Sequence, residues 1–203
     1  MLYPGKAKTE FKKQINYKNR GLDLEYLINI TNEYYLNNNI AVIYKKPTPI
    51  TVHKVEYKYN KVTEGYYKTP STLDYNGIYK GKYIDFDAKE TKNKTSFPLA
   101  NIHPHQIKHI ERIIAHGGIS FIILKMNRNY YYLKGEDLLE FIKNNQRKSI
   151  PFEYIENNCE KIKEQFNPAL DYLKIIDKIY LGGKIWKREP ILKKELLKVR
   201  KTK

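Results

Sequence analysis

The sequence predicts an α/β fold, a mixed β-sheet flanked by helices, with a pair of strands projecting from it. Two observations predict the layers. Apolar residues recur at helical spacing in two places, Leu24, Leu27, Ile28 and Tyr35, then Ile107, Ile110 and Ile114. The segments around them alternate apolar and polar residues or run apolar for several residues, as strands do. A third observation predicts the projection: two alternating segments, 50–57 and 62–68, follow a proline pair that ends regular pairing.

At 203 residues with no Pro/Gly/Ser-rich linker, the chain is expected to form one domain over 20–181, with a basic arm at 1–19 and a basic tail at 182–203. The arm carries Lys6, Lys8, Lys12, Lys13 and Lys18 and little apolar content, the composition of a loosely ordered segment. A net charge of +16 points to a polyanionic partner, because clustered Lys and Arg neutralise phosphates and release counterions. No apolar run reaches 18 residues and 1–13 lacks the apolar stretch of a signal peptide, so a soluble, cytoplasmic protein with no membrane partner is expected. The single cysteine, Cys159, has no His or second Cys beside it and reads as a bystander.

In chain order, a first helix is expected over 20–38, closed by Asn37, Asn38 and Asn39, and a short apolar strand over 40–46. The prolines Pro47 and Pro49 then turn the chain outward into a stalk at about 47–69, with Tyr59, Asn60 and Lys61 at its tip. A hairpin over 74–90 turns at Lys80 and Gly81, where glycine tolerates positive φ. Residues 91–96 alternate lysine with small polar residues, a composition suited to lying along a phosphodiester backbone, with Lys92 and Lys94 as first contacts. Pro104 opens a helix that the glycines after His116 end. Strands over 119–125 and 130–133 are joined by a turn at 127–129, and helices are expected over 135–144, 152–165 and 168–180.

The hairpin 74–90, DYNGIYKGKYIDFDAKE, concentrates the chemistry. On its second strand Tyr83, Asp85, Asp87 and Lys89 share one face, while Ile84, Phe86 and Ala88 share the other, which is expected to be the core face. Asp87 and Lys89 then lie about 6 to 7 Å apart along the strand, and Asp74 arrives at the hairpin's start. Carboxylates are hard ligands suited to Mg²⁺, which keeps its remaining positions for water and phosphate oxygens. The Asp87-x-Lys89 triplet taken by itself is also what a solvated strand face with an i, i+2 ion pair would show. His103, His105 and His109 lack an accompanying cysteine and do not make a zinc site.

The wider pattern, Asp74, a hairpin, Asp87-Ala88-Lys89, a helix and two strands, resembles the PD-(D/E)xK nuclease core, a restriction-endonuclease-like fold. More closely, NRG at 19–21, KKPTPI at 45–50, PSTLDYNGIYKGKYIDFDAKETKNKTSFPL at 70–99 and HPHQIKH at 103–109 resemble the RecU-type Holliday junction resolvases of Gram-positive bacteria. The chain departs from that family at Asp87, where Glu is usual, and in a shorter segment over 54–70. The resemblance implies an Mg²⁺ ion, with Mn²⁺ as a possible substitute, on Asp74 and Asp87. It puts Lys89 and Gln106 in catalysis and Glu25 as a further metal ligand, unless Glu25 is only a partner of its helix dipole. A protruding β-stalk would enter the junction's opening, with Arg20, Lys45, Lys58 and Lys61 joining Lys92 and Lys94 as DNA contacts. A homodimer acting on four-way junction DNA is implied, with the recombinase or branch-migration machinery as further partners. A noncatalytic DNA-binding or recombinase-modulating module would carry the same charge, and a sequence-specific restriction-type nuclease the same core.

Overall fold

The computed structural model describes residues 23–67 and 72–182. The basic arm, Arg20 and all but the first residue of the tail lie outside the described residues. Helix α1 (Leu24–Asn37) leads into β1 (Val42–Lys45), then β2 (Ile50–Glu56) and β3 (Lys61–Tyr67), with a single 3₁₀ turn at Tyr57–Tyr59 between them. Next come β4 (Tyr75–Tyr79), β5 (Lys82–Glu90), β6 (Ser96–Pro98), α2 (Pro104–Ala115), β7 (Ile119–Met126) and β8 (Asn129–Lys134). The chain continues through α3 (Gly135–Asn144), β9 (Ser149–Pro151), α4 (Phe152–Asn158), β10 (Glu160–Ile162) and α5 (Tyr172–Tyr180).

Six strands form one sheet in the order β1-β4-β5-β7-β8-β10. Only β5 and β7 run parallel, and α2 is the crossover between them; every other neighbour is antiparallel, so the sheet is mixed as expected. The β4–β5 hairpin closes on Lys80 and Gly81, both at positive φ (47° and 76°), the conformation of the tight hairpin turns whose twist matches the strands. Gly77 on β4 is required by close approach: a Cβ there would stand 2.1 Å from the Val42 carbonyl oxygen of β1.

Both faces of the sheet are covered. On one, α1 and α5 pack on Ile43, Tyr75, Ile84, Phe86, Phe121 and Tyr132. Four of these rings stack across β4, β5, β7 and β8, with centroid separations of 4.8, 4.6 and 4.3 Å from Tyr75 to Phe86 to Phe121 to Tyr132. Such pairs add about 1 kcal/mol each beyond the area they bury, so the rear of the β4–β5 hairpin rests on a stiff aromatic ladder. On the other face, Ile110 of α2 and Leu138 and Phe141 of α3 pack on Ile122, Leu124 and Leu133.

One alternative falls and two expectations change. The solvated strand face that the Asp87-x-Lys89 triplet would also fit is absent: Asp85 and Asp87 are buried, because α2 lies over the acidic side. The helix expected over 152–165 stops at Asn158. The pair Asn157 and Asn158 favours turns over helix, and the chain then adds β10 to the edge of β8, burying Ile162. The helix expected over 168–180 begins only at Tyr172, since Leu170 is tied down first, its N–H donating to Thr31 Oγ1 at 3.0 Å.

The stalk is a separate two-stranded sheet, β2 against β3, running from the Ile50–Tyr67 pair to the Glu56–Lys61 pair with an irregularity between Val52 and Val55. No residue of either strand is buried. No helix among the described residues is long and apolar enough to cross a membrane.

Candidate active site

The site begins with Asp87, which is fully buried. Strand alternation aims it at α2, and helix capping supplies its partner. Gln106 is the third residue of α2; its Oε1 accepts the His103 N–H at 3.0 Å, which turns its Nε2 onto Asp87 Oδ2 at 2.5 Å. Lys89, next on the same face, places its ammonium 3.1 Å from the same Oδ2, while the Ala88 N–H donates to Oδ1 at 2.7 Å. Asp74, immediately before β4, completes the group: its carboxylate is close enough to Asp87 to raise the Asp87 carboxyl. Hence Asp74, Asp87, Lys89 and Gln106 do converge.

Burial pushes the Asp87 carboxyl up to about 6; Lys89 pulls it down, and the neighbouring Asp74 charge pushes it up again. Two carboxylates facing one ammonium in a desolvated site leave net negative charge, the situation a divalent cation relieves. Among the described residues no three His, Cys, Asp or Glu side chains form a metal-holding group. Two carboxylates, with water and phosphate oxygens for the remaining positions, fit a hard divalent cation.

The structure pairs Glu25 with Lys45 across α1 and β1, both about two-fifths exposed. Its carboxylate also contributes, with Asp74, Asp23 and Asp87, to raising the Tyr75 hydroxyl above its ordinary value, burial being the larger cause. Lys58 lies over the Tyr59 ring at 5.4 Å, and Lys58 and Lys61 are exposed at the stalk tip. Lys92 and Lys94 are exposed on a loop that Asn93 organises through Thr91, Thr95 and Ser96. Asn127 accepts a place in that arrangement too, donating from Nδ2 to the Lys94 carbonyl at 2.9 Å.

One buried acid received no role from the sequence. Asp85, also 0% exposed, accepts from Lys46 Nζ at 2.9 and 3.2 Å and from the Tyr83 hydroxyl at 2.7 Å, and His109 Nε2 lies 3.2 Å from it. The signal was present in the Asp85-x-Asp87 repeat and in His109 standing three residues after Gln106, the spacing that shares a helix face.

A family model described as "Recombination protein U", RecU, matches residues 19–178. The chain belongs to the RecU family. Among curated RecU proteins, the Holliday junction resolvase RecU of Leuconostoc mesenteroides is 50% identical over 173 residues, covering 82% of this chain and 85% of its own. The Holliday junction resolvase RecU of Bacillus mycoides is 47% identical over 183 residues, covering 86% and 91%. Among solved structures, the Holliday junction resolvase Hjc of Archaeoglobus fulgidus overlaps 68% of this chain and 93% of its own, with a TM-score of 0.40 and 10% identity. The RecU match spans α1, the stalk, the acids and α2, and ends before the tail.

Proposed function

We propose that this chain is a divalent-metal-dependent, structure-selective endonuclease that resolves four-way DNA junctions, as its RecU relatives are named for doing. The observation that carries the reading is Asp87: a buried carboxylate beside Asp74, gripped by Gln106 and Lys89. Unlike a buried acid held only by its ion pairs, Asp87 sits beside a second carboxylate, and two acids set against each other in a desolvated site are an arrangement that suits a divalent cation.

Asp74 and Asp87 would hold Mg²⁺, or Mn²⁺ in its place, which when bound polarises the scissile phosphate and acidifies a water. Gln106 keeps Asp87 from rotating, since its amide is fixed at both ends. Lys89, one-fifth exposed, reaches from Asp87 toward solvent, where its ammonium orients the attacking water and offsets the charge gathering on the five-coordinate phosphorus. Water oxygen bonds to phosphorus as the bond to the 3′ oxygen breaks, leaving a 5′-phosphate and, after that oxygen takes a proton, a 3′-hydroxyl. Lys92 and Lys94, with Lys45, Lys58, Lys61 and Arg20, supply phosphate contacts that position the DNA without reading bases. A homodimer would present two such sites to the two equivalent strands of a junction; Glu25, paired with Lys45, would join the metal once DNA draws that lysine away.

The test is incubation of the protein with a synthetic four-way junction and with linear duplex, with and without Mg²⁺. Paired nicks in the junction that require the metal are expected. Junction binding without cleavage in either Mg²⁺ or Mn²⁺ would instead establish a noncatalytic DNA-binding module, and cutting of duplex at fixed sequences a restriction-type nuclease.

A further inference from the structure

The buried carboxylate of Asp85 stands outside the chemistry described so far, and burying it costs several kcal/mol that an apolar residue at the same position would not. What Asp85 gains is partners from three directions. Lys46 comes from the residue after β1, where the chain leaves for the stalk; Tyr83 comes from β5 itself; His109 comes from α2. Lys46 is fastened twice, because its backbone N–H also donates to the Asp74 carbonyl at 2.7 Å.

Two rungs therefore connect β5 to α2, Asp87 to Gln106 at 2.5 Å and Asp85 to His109 at 3.2 Å. One rung would allow the helix to rock about it; two, spaced by one turn of helix and two residues of strand, set its angle. The same carboxylate fixes the root of the stalk to the strand that carries Asp87, and through the Lys46 backbone to Asp74. We propose that Asp85 is a positioning residue, which with Lys46 and His109 locks α2 and the stalk root in register with the two metal-binding acids. It acts through Gln106 and Asp74 and touches neither the phosphate nor the metal. This rests on the endonuclease reading above, and goes beyond it by assigning work to a trio outside the catalytic group.

The test compares His109→Ala, Asp85→Asn, Lys46→Met and Lys46→Arg with the unaltered full chain. Single-turnover cleavage of a four-way junction is measured at saturating protein, alongside junction Kd, Mg²⁺ affinity by calorimetry without DNA, and Tm. Misplacement of a reacting group by an ångström costs on the order of a hundredfold in rate, so His109→Ala and Lys46→Met are expected to lose about tenfold or more. Junction Kd should stay within about threefold, because the exposed phosphate-contacting lysines are untouched. Mg²⁺ affinity should fall several-fold, and Lys46→Arg should restore much of what Lys46→Met loses. Should Asp85→Asn fail to fold, His109→Ala decides, since His109 is one-fifth exposed and its truncation leaves the core filled. Folded variants that cut and bind Mg²⁺ as the unaltered chain does would overturn the proposal, as would losses that follow Tm alone. Failure of the unaltered chain to cut would count against the endonuclease reading itself, a separate result.

Discussion

Strand β5 and strand β3 are each one arm of an antiparallel hairpin, and they could hardly be used more differently. Four consecutive residues of β5, from Ile84 to Asp87, are buried, whereas every residue of β3 is exposed. Hydrogen bonding within the ladder is common to both; what separates them is packing, with α1 and α5 behind β5 and α2 in front of it. A site that must hold carboxylates, an amide and an ammonium within a few tenths of an ångström is built where side chains cannot move. The stalk, with neither face covered, carries Tyr57 at 85% exposure and Tyr67 at 77%.

The largest effect is expected at the acids. Asp74→Asn removes a charge from the cation site and should lower cleavage by about a thousandfold or more, the several kcal/mol that such an ion contributes. Junction binding should be nearly unchanged in a filter or gel-shift assay. Asp87→Glu, by contrast, restores the longer acid of the family pattern and should remain active. Near-normal turnover of a purified Asp74→Asn protein would remove Asp74 from the site.

Next in size is packing. Phe86→Ala takes one ring from the middle of the aromatic ladder and should cost about 3 to 5 kcal/mol in denaturant unfolding. Val62→Ala on the stalk should cost no more than about 0.5 kcal/mol. Similar losses at the two positions would erase the contrast between the strands.

Much of this contrast was legible in the sequence, and the reasons are physical. Period-two alternation identified which residues of β5 share a face, and the Lys80-Gly81 turn and the two prolines before the stalk are local chemistry that the chain states outright. Burial of the acidic face was not legible. It depends on α2 returning over β5, a tertiary event whose only trace is the spacing of Gln106 and His109. The strand β10 was missed for a related reason: three residues gain their identity from the edge of β8, not from their own pattern. Strand alternation brought Asp74, Asp87 and Lys89 together and the family resemblance added Gln106, whereas Asp85, although inside the same hairpin, lies outside the Asp87-Ala88-Lys89 triplet and so was given no role.

A third prediction uses the Asp87 carboxyl, raised from 3.8 to about 6 chiefly by burial. Folding favours its protonated form, so the native state binds the extra proton between those values and stability falls as pH rises from about 4 to about 6. The full effect, on the order of 3 kcal/mol, is present above pH 6. Mg²⁺ should reverse it, raising Tm above about pH 6 and doing nothing near pH 4, where the carboxyl is protonated. Thermal melts across this range, repeated with Asp87→Asn, check the assignment. The variant should show a flatter profile and little response to the ion; an undiminished response would mean that Mg²⁺ stabilises the fold elsewhere.

The smallest effect, and the one that probes the bare strand pair directly, concerns the stalk tip. Glu56 and Lys61 form its last pair, and Tyr57, Lys58, Tyr59 and Asn60 form the loop beyond. Replacing those four residues by Asn-Gly gives a two-residue turn whose twist suits the strands, so the ladder up to Glu56 and Lys61 should survive. Nothing buried is touched, and Tm should move by no more than a degree or two. Phosphate contacts from Lys92 and Lys94 remain available to any duplex, so overall DNA affinity should fall only slightly. Discrimination is different, because entering the open centre of a four-way junction takes a projection, and among the described residues the stalk is a two-stranded sheet apart from the main one. The ratio of junction to duplex affinity, measured by competition at several salt concentrations, should drop by roughly tenfold, about 1.4 kcal/mol. An unchanged ratio would place the reading of shape in the body of the protein, on the same packed side of the comparison as the chemistry.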